Sequence, residues 1–197
     1  MNEYLKRVVD FWYEAGMVSK TPRSYTPFLG SDQKSVADHL FRCAVIGYSL
    51  AKMDGTVNVE KVMLMCLFSD FSEARISDLN WIHQQYNERN EAKAEADFTA
   101  GLPFQDDIRA ELHEYKERTS MESILAKEAD HLEFLISLKE QADIGNRRVH
   151  DWIQVSLKRM KTDIGKKMAE QIMNTDSSDW WFGNKDDQWW VNRNEKV

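Results

Sequence analysis

The chain has 197 residues, 42% of them apolar and 30% charged, with eight glycines and three prolines. That length supplies one domain with a real core and is marginal for two, and so little turn material excludes an all-β sandwich. A net charge of −7 argues against nonspecific binding to a long nucleic acid or an anionic membrane, but it leaves room for a small phosphorylated substrate held by one or two local cations.

Asn2 to Ala15 reads as a first helix, with Leu5, Val8, Val9 and Trp12 at helical spacing and Gly16 as its stop. Residues 17–34 carry Pro22, Pro27 and Gly30 and read as a long ordered loop. Ser35 to Met53 is a second helix; Ser35 with Asp38 three residues later resembles a capping box. Asn58 caps a third, apolar nearly all round between Val62 and Phe68, as a central buried helix is. That helix then turns polar at Ser69, Asp70, Ser72 and Glu73. Residues 78–103 are mixed, with a helix from Asn90 to Thr99 and a break at Gly101-Leu102-Pro103. Helices follow over Phe104–Arg118, Met121–Ala142, Asn146–Met160 and Ile164–Met173.

The expected fold is therefore all-α, a single helical bundle over residues 1–175 with a short Trp-rich extension over 176–197. Trp180 and Trp181 are expected to pack within the chain and Trp189 and Trp190 to sit in a dimer contact, since so many clustered tryptophans strain an exposed surface. Cys43 and Cys66 lie in apolar helical stretches and read as buried free thiols of a reducing, cytoplasmic setting. The opening residues lack the apolar run of a signal peptide, and no stretch reaches the ~18 apolar residues of a membrane span.

Polar residues that interrupt apolar helices carry the chemistry. His39, Asp70 and Asp130 each sit on or beside an apolar helix face, and buried carboxylates need a partner or a metal. Asp70 and Glu73, three apart, are expected to share one helix face. Three helices can bring His39, Asp70 and Asp130 to one place, the usual way to build a metal site in a helical core. Nitrogen and carboxylate ligands suit a divalent ion among Co, Mn, Fe, Zn and Mg without choosing between them. His83, His113, His131 and His150 have no ligand spacing and read as surface residues.

Ser35-Val-Ala-Asp-His39-Leu-Phe-Arg42 resembles the first-histidine motif of HD-domain metal-dependent phosphohydrolases. Leu67-Phe-Ser-Asp70-Phe-Ser-Glu73-Ala-Arg-Ile-Ser-Asp78 resembles their His-Asp segment, and Lys127-Glu-Ala-Asp130-His-Leu-Glu their final-aspartate motif. The likeness is greatest to the YfbR-like 5′-deoxynucleotidases and runs from about residue 5 to about residue 160. It implies hydrolysis of (deoxy)nucleoside 5′-monophosphates to nucleoside and phosphate. By the same resemblance His39, Asp70 and Asp130 are metal ligands, Glu73 handles the attacking water, Asp78 lies near substrate and water, and Arg23 contacts substrate. The family's tryptophan shortly after that arginine is absent; Ser24 and Tyr25 follow instead, which puts the stacking contact to the base in question.

Ser69 is the main departure, because the family has a metal-binding histidine there. A serine hydroxyl is short and not acidic near pH 7. Its presence leaves two alternatives to a fully active hydrolase open: a catalytically impaired nucleotide-binding relative, or a metal-site mutant of an active enzyme. A third possibility, a helical interaction protein with an acidic surface, leaves the polar cluster of the third helix unexplained. Relatives of this fold form dimers, so a homodimer is expected.

Overall fold

A computed structural model describes residues 3–30 and 34–193. Its helices run α1 Glu3–Val18, α2 Thr26–Leu29, α3 Val36–Asp54, α4 Val59–Phe68, α5 Glu73–Ile76, α6 Trp81–Gln84 and α7 Glu91–Thr99. They continue with α8 Gln105–Glu117, α9 Met121–Asp143, α10 His150–Leu157, α11 Asp163–Met173, α12 Asp179–Phe182 and α13 Gln188–Val191. The fold is all-α, and none of the described helices is long and apolar enough to cross a membrane.

Helix α3 starts where its chemistry demands. The Ser35 hydroxyl accepts from the backbone N–H of Asp38 at 3.2 Å, and the Asp38 carboxylate accepts from Ser35 N–H at 2.8 Å, a reciprocal capping box. Asn58 caps α4 by accepting from the N–H groups of Glu60 and Lys61. Helices α3, α4 and α9 form the centre, where Cys43, Leu50, Val62, Met65, Leu125, Leu132 and Leu135 are buried together. Gly47 permits the close crossing of α3 and α4, since a Cβ there would lie 2.6 Å from the Cys66 sulfur. A second cluster packs α1 through Phe11 and Val18 against Leu40, Phe71, Phe98 and Leu112.

Several sequence expectations are corrected. Helix α1 continues through Gly16 to Val18. Its buried face is Val8, Phe11, Ala15 and Val18, while Trp12 is 64% exposed; the period is right but the stripe is rotated, because the outer side of α1 is also rich in apolar residues. The expected 17–34 loop contains the short helix α2, and an isolated antiparallel bridge joins Pro22 to Ser35; residues 31–33 of that loop lie outside the described residues, as do Asn2 and the last four residues of the tail. Helix α4 is not buried all round, since Met63 and Leu67 face outward.

Most consequentially, the polar stretch is not inside a helix. Helix α4 ends at Phe68, and a tight turn over residues 69–72 separates it from α5. Asp70 lies in that turn and Glu73 opens the next helix, its N–H donating to the Asp70 carbonyl at 3.0 Å, so they are neighbours across a turn and not members of one continuous helix. Trp180 does not pack into the chain: it is 86% exposed. Trp181, half-exposed, meets Trp190 edge-on at 5.7 Å, and Trp190 meets Trp189 at 4.4 Å.

Candidate metal and phosphate site

The turn after α4, the middle of α9 and the first turns of α3 bring three donors together. Nε2 of His39 lies 3.3 Å from a carboxylate oxygen of Asp70 and 3.3 Å from one of Asp130. The imidazole is buried. Its other nitrogen, Nδ1, is 2.5 Å from the Glu133 carboxylate, so Nδ1 carries the proton and Nε2 turns its lone pair toward the two aspartates. Burial works against a charged imidazole, but Cys43 and then the carboxylates of Asp130 and Asp70 outweigh it and hold His39 well above its ordinary value.

Three lone-pair donors converging in a buried space repel one another unless a cation sits among them. The nitrogen and two carboxylates suit a divalent metal. The donor set therefore fits the ion that the sequence reading calls for. Cys43 stands nearby, its sulfur 3.5 Å from Nε2, and with His39 and Asp130 it offers donor atoms all within 4.8 Å. Burial pushes its thiol up to about 12, which keeps it protonated and leaves nitrogen and oxygen as the ready donors.

Ser69 does not complete the set. Its hydroxyl turns back along α4 and donates to the carbonyl of Cys66 at 3.1 Å, the local bond that a serine at a helix end makes readily.

Cations flank the carboxylates. Lys127 reaches Asp130 at 2.5 Å from one turn earlier on α9; burial opposes ionisation of Asp130, and Lys127 with His39 reverses that and holds it well below the usual carboxylate range. Arg23 is placed by the Pro22–Ser35 bridge and lies 3.2 Å from Asp78 and 3.5 Å from Asp70. Asp78 also accepts from Ser24 N–H at 3.0 Å, which ties the Arg23 loop to the end of α5. The residue before Asp78, Ser77, takes φ 61° and ψ 159°, a region that is essentially glycine's own.

Glu73 is buried, with one oxygen 3.0 Å from Arg89 and the other without a hydrogen-bond partner. Burial first, then the charges of Asp70 and Asp78, push its carboxyl up to about 9. The Nε of Arg23 is likewise buried without a partner. Two uncompensated polar atoms beside one cation site are the signature of a place built for an added group.

The structure thus brings His39, Asp70, Glu73, Asp78, Arg23 and Asp130 to one site and turns Ser69 away. Sequence reasoning missed Glu133, Arg42 and Arg89. Arg42 binds Glu133 through Nε at 3.0 Å and a terminal nitrogen at 2.7 Å, and reaches Glu140 at 2.6 Å. A glutamate set between Leu132 and Phe134, one turn beyond Asp130, was the available signal. Arg89 had none, because it comes from the irregular segment before α7. Among the other histidines, His131 departs from the surface expectation: it is half-buried, and desolvation lowers it to about 4.

Residues 15–173 match the sequence profile described as an HD domain. The 5′-deoxynucleotidase HDDC2 of Danio rerio is 26% identical over 148 residues, 71% of this chain and 72% of that protein. A conserved hypothetical protein from Pyrococcus furiosus superposes with a TM-score of 0.72 at 27% identity, covering 85% of this chain and 99% of the other. A predicted metal-dependent phosphohydrolase from Magnetospirillum magnetotacticum MS-1 gives a TM-score of 0.67 at 21% identity over 87% of this chain and 91% of its own, a likeness of fold.

Proposed function

We propose a function from one premise: the chain belongs to the HD-domain family. It is a metal-dependent phosphohydrolase acting on (deoxy)nucleoside 5′-monophosphates, with activity weakened by Ser69. The observation that carries this reading is the convergence of Nε2 of His39 on Asp70 and Asp130 at 3.3 Å each, beside a buried arginine and a glutamate with an unpartnered oxygen. The substrate class is supported by the likeness to a 5′-deoxynucleotidase.

His39, Asp70 and Asp130 would hold the divalent ion. When bound, such an ion neutralises phosphate oxygens and makes water more acidic. Arg23 is a fixed cation whose free Nε is available to a phosphate oxygen, while Asp78 and Asp70 hold its other end. The unpartnered oxygen of Glu73 would position the attacking water, and beside a bound divalent ion its carboxylate would favour the ionised form that can take the water's proton. Water oxygen adds to phosphorus, the bond to the 5′ oxygen breaks, and the proton given up by the water passes to that leaving oxygen, so that nucleoside and phosphate are formed. Lys127 offsets the charge of Asp130. Positioning and electrostatics thus supply most of the catalysis, as is general for phosphoryl transfer.

The second reading, a nucleotide-binding relative that turns over little or no substrate, is favoured by the Ser69 hydroxyl being engaged with Cys66. Phosphate release from a panel of deoxy- and ribonucleoside 5′-monophosphates, with Mn²⁺ or Co²⁺ and with chelator, separates the two. Metal-dependent release establishes the hydrolase. Nucleotide binding without release establishes the second reading, and neither binding nor release refutes both.

The described chain also presents an apolar outer face. Phe41, Val45 and Tyr48 form a stripe along α3, and Phe41 shares a groove with Leu67 of α4. We propose that residues 1–175 form the hydrolase domain, that a second copy covers this face, and that the 176–197 extension lies beside it, since Trp180 lines a hollow with Phe41 and Val45.

A further inference from the structure

The site described so far accounts for a phosphate and leaves the rest of a nucleotide without a seat. Tyr25, the aromatic residue nearest Arg23 in sequence, cannot stack on a base. It is buried in the core, its ring 5.4 Å from that of Phe134. A neighbouring cavity of about 260 Å³ has the missing character. Trp81, Phe134 and Trp152 wall it, with Ser156 and Arg159 also on its lining. Trp81 and Trp152 meet edge-on at 5.0 Å and 89°, and Phe28 backs both at about 6 Å.

Three paths join this cavity to the metal and phosphate site. Trp81 follows Asp78 by three residues. Phe134 follows Asp130 by four residues on α9, one turn and about 6 Å along the axis. Tyr25 bridges Arg23, at 5.9 Å, and Phe134, at 5.4 Å. The cavity therefore adjoins the segments that carry Asp78, Asp130 and Arg23.

Two features distinguish it from ordinary core packing. Trp81 keeps 46% of its surface exposed, so a ring that is costly to leave in water stands open beside the site. Ser156 is 1% exposed, and its hydroxyl has no hydrogen-bond partner among the described residues. An uncompensated hydroxyl in an aromatic cavity calls for a ligand with a polar edge. A flat heteroaromatic ring answers both, with its face to the tryptophan and its nitrogen or oxygen edge toward the serine.

We infer that this cavity is the nucleobase subsite, with Trp81 as its stacking residue and Ser156 as its polar contact. The inference rests on the nucleotide reading proposed above. Isothermal titration of the Mn²⁺-loaded protein with dAMP and with 2-deoxyribose 5-phosphate tests it, because the second probe carries the sugar and phosphate without the base. The expected result is dAMP binding about tenfold or more tighter than the sugar phosphate. Trp81→Ala should abolish that difference while leaving the sugar phosphate unaffected, and Trp81→Phe should keep most of it. Trp81 is exposed enough for its truncation to leave the fold intact. Equal affinities for the two probes, or equal weakening of both by Trp81→Ala, overturns the subsite and leaves the phosphohydrolase reading standing. Binding of neither probe overturns both.

Discussion

The Glu133 carboxylate lies 2.5 Å from Nδ1 of His39 and binds Arg42 through its other oxygen. This pairing fixes the tautomer of the imidazole and aims Nε2 at Asp70 and Asp130. Carboxylates behind metal-binding histidines typically contribute 10- to 100-fold in affinity. Glu133→Gln is accordingly expected to weaken Mn²⁺ or Co²⁺ binding by about 10- to 100-fold, read by competition with a chromophoric chelator. Unchanged affinity would show that the orientation of His39 does not depend on Glu133.

Ser69 has ordinary right-handed helical backbone angles, φ −49° and ψ −44°, so a larger side chain meets no backbone obstacle. Ser69→His adds an imidazole beside Asp70. It is expected to tighten metal binding by more than about tenfold and to raise phosphate release at limiting metal. A variant that binds metal no better would mean that position 69 does not face the cation.

Glu73 stands at about 9 in the folded protein against an ordinary value of 4.5. Between those values the folded state keeps a proton that the unfolded chain has released. The stability of the metal-free protein therefore falls as pH rises across that window, by at most about 1.4 kcal/mol per pH unit from this group. Glu73→Gln keeps the neutral form at every pH, so its urea midpoint should exceed that of the parent at pH 8 and match it near pH 4. Parallel pH profiles for the two proteins would refute the shift.

Ser77 holds a glycine-like conformation just before Asp78. Such strain costs on the order of 1–3 kcal/mol, partly offset by the greater freedom of glycine in the unfolded chain. Ser77→Gly is expected to raise the unfolding free energy by about 1 kcal/mol, seen as a higher urea midpoint with an unchanged slope. A lower midpoint would mean that the serine is not strained.

Phe41 is 71% exposed on the apolar stripe of α3. If a second copy covers that stripe, sedimentation of the parent protein gives a dimer and Phe41→Glu gives a folded monomer. A parent that sediments as a monomer at micromolar concentration removes the proposed interface.

The sequence by itself determined the local facts. Helical periodicity and caps such as Ser35 with Asp38 and Asn58 placed most helices to within a few residues, because caps and propensities act over one turn. The order and spacing of the motifs around His39, Asp70 and Asp130 indicated the family. Tertiary structure decided what depends on distant partners. Glu133 is 94 residues from His39, and no local pattern announces that pairing. A turn at 69–72 interrupts the helix between Asp70 and Glu73 despite their helical spacing, and the short helix α5 that follows packs on α1. Tyr25 is lost as a stacking residue because Phe134 draws it into the core. Periodicity gave the apolar side of α1 only approximately, since which apolar residues are buried depends on where Phe71 and Phe98 pack against it. The shifted charge of Glu73, too, arises from burial and from carboxylates that only the fold brings near.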